Sequence, residues 1–145
     1  MSAHWLDESV VKAPEPDWIG SALGLTITSL DAELLGEARG FQSTTWRLGL
    51  TCEPPGNGPA SVILKSETSD EDFNSFSRLN NAFGREIGVY THCTPRVRDH
   101  RPKVYACQDG EPSWLLMEDL THLRSGDQVI GLSYQETRSE EHTSE

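Results

Sequence analysis

Nowhere does this sequence run apolar for the roughly 20 consecutive residues that a bilayer-crossing helix requires, and that excludes a membrane-spanning helix. The stretch from Met1 to Lys12 has neither the basic start nor the apolar run of a secretory signal, so a soluble cytoplasmic protein with no membrane partner is expected. Basic residues are scarce: 12 Lys and Arg face 23 Asp and Glu, a net charge of −11. That balance argues against a nucleic-acid binder, because no basic excess exists to neutralise a phosphate backbone. Any phosphate-bearing ligand has to be held locally. Cysteine is also sparse. Cys52, Cys93 and Cys107 are odd in number, widely spaced and without a C-x-x-C pair, which points to reduced structural thiols. His92 beside Cys93 has no second ligand pair in sight, so no metal site is assigned.

What remains is one ordinary domain. At 145 residues and 35% hydrophobic composition, the chain can bury a single modest core but not two. Pro14 to Gly24 reads as a short helix: two prolines, Asp17 as an acidic cap, then an apolar turn. Residues 1–24 are thus an amino-terminal extension. From Leu25 the pattern becomes β-rich. Thr26–Leu30 and Thr45–Thr51 form a hairpin around a glycine-bearing loop, and the turn formers Glu53–Pro59 lead into a short buried strand, Ala60–Leu64. Between Ser66 and His92 the β signal disappears; Phe73, Phe76 and Leu79 recur at threes before a second helical phrase, Asn81–His92. Pro102–Cys107 and Ser113–Met117 then flank an Asp109-Gly110 turn, another hairpin. The fold class is α+β: a five-stranded antiparallel sheet with one major helix.

Four features in this order carry chemistry. The loop containing Gly36, Gly40 and Ser43 lies between two strands, where glycines let backbone N–H groups approach a phosphate; a plain hairpin loop reads the same way. Lys65 ends the strand Val62-Ile63-Leu64, where an ammonium can reach under such a loop, or simply sit at the surface. In the following helix Phe83, Glu86, Ile87 and Tyr90 fall at i, i+3, i+4 and i+7, which puts the Glu86 carboxylate on the apolar face. A carboxylate there needs a cation, and Lys65 is the candidate, whether for function or as a structural salt bridge. Last, at Glu118-Asp119-Leu120 an apolar strand stops abruptly, leaving backbone that can read an adenine edge; equally, Asp119 before Leu and Thr reads as a cap at a strand-to-helix turn.

As an ordered set these phrases resemble the small lobe of the kinase-like phosphotransferases that include aminoglycoside phosphotransferases, choline kinases and ecdysteroid-kinase-like proteins. The phrases are Gly36–Phe41, Ser61-Val62-Ile63-Leu64-Lys65, Arg85-Glu86-Ile87-Gly88-Val89-Tyr90 and Leu115-Leu116-Met117-Glu118-Asp119-Leu120, with Gly126-Asp127-Gln128 beyond, covering about residues 25 to 132. The resemblance implies a kinase-like small lobe over 25–120, with 121–137 as the hinge exit and the start of a large lobe that is missing. It implies ATP with Mg as cofactor, Lys65 on the α- and β-phosphates, Glu86 holding Lys65, and the backbone from Glu118 to Leu120 on adenine. A small-molecule acceptor would bind through the missing lobe. Ala38 departs from the family pattern, in which a second glycine is frequent; Gly40 stands close by as a substitute.

The family's His-Gly-Asp catalytic loop and its later metal-binding Asp are absent, since none of the five histidines precedes Gly-Asp. No catalytic residue is therefore assigned, and no turnover is expected from this chain alone. The last eight residues, Arg138–Glu145, match the in-frame translation of a common sequencing-adapter oligonucleotide. The expectation is that the natural sequence departs near Thr137 and that 138–145 is an artefactual tail. Two rivals remain: a naturally short, non-catalytic nucleotide- or partner-binding module, and a purely structural α+β domain. Reading the source locus past the Thr137 codon separates a truncated enzyme from a short module.

Overall fold

The computed structural model describes residues 13–35, 43–67, 71–92 (backbone alone for 71–73), 101–123, 131 and 133–134. The elements run α1 (Pro16–Leu23), β1 (Thr26–Leu35), β2 (Ser43–Glu53), β3 (Ser61–Glu67), α2 (Glu71–Leu79), α3 (Ala82–His92), β4 (Val104–Gln108) and β5 (Trp114–Glu118). The five strands form one sheet in the order β1-β2-β3-β5-β4, and every neighbouring pair is antiparallel. The architecture is α+β, as the patterning implied. None of the described helices is long and apolar enough to cross a membrane.

Strand alternation divides the sheet into two unlike faces. On β3, Val62, Leu64 and Ser66 are fully buried, whereas Ile63 and Lys65 point the other way. Val62 and Leu64 join Trp46, Leu48, Trp114 and Leu116 in the larger core, closed by Trp18 and Ile19 of α1. The Trp18 and Trp114 rings meet edge to face with centroids 4.8 Å apart, an arrangement that suits their quadrupoles. Proline at the start of α1 fits a position whose N–H needs no partner, and Gly24 ends the helix at φ 68°. Asp17 does not cap this helix; Glu15 occupies the cap position and Asp17 falls in the first turn, where its charge still favours the dipole. Leu25 N–H donates to Gly20 O at 2.9 Å and turns the chain directly into β1.

Among the described residues, cover on the opposite face extends over part of its width. Phe83 and Ile87 of α3 pack there on Leu115 and Met117, with Ile63, Tyr90, Val104 and Cys107 at the margin. Among the described residues two consecutive helices, α2 and α3, lie between β3 and β4 where one major helix was expected. The break falls at Asn80-Asn81, and Asn81 has φ 47°, a left-handed conformation that asparagine tolerates.

The apolar recurrence over Phe73, Phe76 and Leu79 does fall on a helix, α2, but Phe76 and Leu79 do not seat it on the sheet. Phe76 and Leu79 are 57% and 85% exposed, while Ser77 is buried. What fastens α2 is Arg78, which donates to the buried Glu67 carboxylate at 2.8 Å and lies 3.4 Å from Glu111. Burial of Glu67 fixes that choice, because a carboxylate removed from water demands a cation more strongly than an aromatic ring demands cover. Cys52 and Cys107 are free thiols, and Cys93 lies outside the described residues.

Candidate functional site

The site is built on the half-covered face. Because Trp46 and Leu48 point into the larger core, Arg47 between them faces the open side, and antiparallel register sets residues in rows across the strands. One row is Glu33, Arg47, Ile63, Met117 and Val104; the next is Leu35, Thr45, Lys65 and Leu115. Lys65 and Ile63 are two residues apart on β3, about 7 Å along the strand.

Lys65 and Glu86 meet. The Lys65 ammonium donates to both Glu86 oxygens, at 2.8 and 2.7 Å, and lies 5.9 Å from the centre of the Phe83 ring. Both side chains are about 30% exposed. Helical spacing explains the placement: with Phe83 and Ile87 seated on the sheet, Glu86 is carried to the same side, directly above β3. The ammonium is therefore aimed by a carboxylate, half-screened from water, and still reachable.

Beside it, a groove of about 540 Å³ runs along Ile63, Pro102, Met117, Leu120 and Leu123, with Glu118, Asp119 and Thr121 in its wall. Its volume falls within the usual range for small-molecule sites. Glu118 is partly committed to the fold. Its N–H donates to Lys103 O at 2.8 Å and its carboxylate accepts from Lys103 N–H at 3.0 Å, which extends the β4–β5 pairing by one rung. Leu120 O accepts from Leu123 N–H at 2.8 Å and closes a turn at the groove's mouth. Among the described residues the Leu120 N–H meets no acceptor.

Asp119 reads in the sequence as a cap, and its carboxylate does accept from the Thr121 N–H two residues on, at 2.9 Å. The same side chain is 4% exposed and also accepts from Arg47 Nε at 2.9 Å and Ser61 Oγ at 2.6 Å. Burial pushes this carboxyl upward, but the hydrogen bonds from Ser61, Thr121 and Arg47 outweigh it and hold the pKa far below the usual carboxylate range.

Of the other expected site residues, Ser43 is the first residue of β2, opposite Glu67, while Gly36 and Gly40 lie outside the described residues. A smaller cavity of about 230 Å³ is lined by Glu67, Arg78, Asp109 and Glu111, where the one guanidinium is already engaged by Glu67 and Glu111. Among the described residues no three His, Cys, Asp or Glu side chains gather as a metal site would require.

Compared with protein-family models, curated proteins and solved structures, the chain matches none. The chemistry of the residues is therefore the ground for any functional reading. The half-covered face offers an apolar slot with backbone polar groups at one end and an oriented ammonium at the other. Such a surface suits a flat, partly apolar ligand with an anionic tail.

Proposed function

We propose that this chain is the nucleotide-holding lobe of a kinase-like small-molecule phosphotransferase, with ATP as the ligand. The observation that carries the reading is the two-pronged Lys65–Glu86 contact on the open face of β3, beside the groove. The adenine would enter the groove between Ile63 and Met117 on one side and Leu120 and Leu123 on the other, its edge meeting the Leu120 N–H. Lys65 would neutralise the phosphates about 7 Å further along β3, and Glu86 would keep the ammonium from swinging into solvent.

The residues present fit the nucleotide better than they fit its metal. An apolar slot and an aimed ammonium are both in place, but the described side chains supply no ligand set for magnesium. The chain would hold a nucleotide without transferring its phosphate, since no His-Gly-Asp loop is present in the sequence.

Titrating the 145-residue chain with ATP and following backbone amide resonances tests this directly. Shifts centred on Ile63, Lys65, Met117 and Leu120 are expected, with affinity falling about tenfold in Lys65→Met from loss of a charge-assisted contact. Absence of any shift at millimolar ATP, or shifts confined to the face covered by α1, would overturn the reading.

A further inference from the structure

The proposed site has an end that the Lys65–Glu86 pair does not organise. Asp119 leaves β5 at the point where the groove wall begins, and its buried carboxylate is tied to three separate pieces of chain. Ser61 starts β3, Arg47 lies in the middle of β2, and Thr121 belongs to the turn that carries Leu120 and Leu123. Arg47 is 72 residues from Asp119 in sequence and Ser61 is 58, so the contacts tie the exit turn to β3, its neighbour in the sheet, and to β2, with which β5 does not pair.

We propose that Asp119 is a positioning residue that fixes the base-accepting end of the groove, independently of the Lys65 end. This rests on the nucleotide reading above. A strand emerging from a sheet edge would ordinarily run on past it. Here Asp119 follows the register one position past Glu118, opposite Ser61, and is held there by Ser61 and Arg47. The chain turns at once between Leu120 and Leu123, and holding that turn would set the gap between Leu120 and Ile63 into which a planar base would slide. Held through Nε, the Arg47 guanidinium lies on the open face with one Nη 3.9 Å from Glu33, so its charge is shared between two carboxylates. Ser61 and Lys65 lie four residues apart on β3, about 13 Å along the strand. Far enough apart not to touch, the two polar centres can fail separately.

That separability supplies the test. Adenosine reports the base end and inorganic tripolyphosphate the phosphate end, each titrated by NMR into the full 145-residue chain. In Asp119→Ala, adenosine binding is expected to weaken about tenfold, as for loss of a charge-assisted contact network, while tripolyphosphate binding changes by less than about twofold. Amide hydrogen exchange at Thr121 and Leu123 should accelerate while Lys65 stays protected. Asp119→Asn, which keeps the shape and one acceptor, serves where the alanine variant does not fold and is expected to fall between. Equal loss of both ligands, or no loss of adenosine, overturns the positioning role and leaves the nucleotide reading standing. If the unaltered chain binds neither probe, the nucleotide reading fails and this proposal with it.

Discussion

Replacing Glu86 by Gln, alone and combined with Lys65→Met, isolates the central contact. At 2.7–2.8 Å the two charges attract by about 6 kcal/mol at an effective dielectric near 20, but much of that is returned as desolvation. Fully exposed pairs are worth about 0.2–1 kcal/mol, and removing one partner of a fully buried pair costs about 3–5 kcal/mol. With both side chains about 30% exposed, the coupling should fall between these limits, at about 1–2 kcal/mol. Glutamine retains one oxygen toward the ammonium, so the single variant should lower the melting temperature by about 5 °C, whereas Lys65→Met leaves a bare carboxylate over β3. Urea denaturation of the four proteins closes the cycle. Repeating it in 1 M salt, where the Debye length is about 3 Å, should shrink the coupling without abolishing it. A coupling below about 0.3 kcal/mol, within ordinary additivity, would show that the two groups do not fix each other and would remove the basis for an oriented ammonium.

Three further perturbations probe other parts of the structure. Arg78→Ala strands the buried Glu67 carboxylate and should cost about 2–4 kcal/mol by urea denaturation, more than loss of an exposed pair explains. Gly20→Ala would place a methyl carbon 2.6 Å from the Leu25 backbone oxygen; a loss of about 1–3 kcal/mol, with reduced near-ultraviolet signal from Trp18, is the expected result. Because the Asp119 carboxyl is held below its unfolded value of about 3.9, the stability it contributes is complete above that pH. It drains away as the pH falls further toward the folded-state value, so Asp119→Asn should flatten stability against pH in that acid range, and an unchanged slope would refute the assignment.

How much of this was readable from the chain depends on distance along it. The i, i+3, i+4, i+7 spacing of Phe83, Glu86, Ile87 and Tyr90 sufficed to put Glu86 on the sheet side of α3, and the strand carrying Lys65 was evident from its apolar run. The strands themselves were legible in number and order of appearance, because turn formers and the Asp109-Gly110 hairpin punctuate them. Their lengths were not: β1 continues to Leu35 and β3 to Glu67, carried by pairing with neighbours that local composition does not announce. Insertion of β5 between β3 and β4 is a tertiary fact of the same kind. The Arg47–Asp119 contact spans 72 residues, and no spacing rule reaches so far. In α2 the apolar rhythm announced the helix but not its seating, since Arg78 bonds the buried Glu67 while Phe76 and Leu79 face solvent; a strand ending in Ser-Glu before a helix with a lone arginine was the available hint.

The two-sided use of β3 links survival of the fold to survival of the site. Successive residues of that strand serve opposite faces, so sliding it by one position would drive an ammonium in among Trp18, Trp46 and Trp114 and set Leu64 beneath Glu86. Such a chain would not accumulate as a folded, silent variant but would fail to fold. Insertions and deletions between Ser61 and Glu67 should therefore be removed by instability before function is ever put to the test, whereas point changes at Lys65 alone remain open to a lineage that abandons the ligand and keeps the domain.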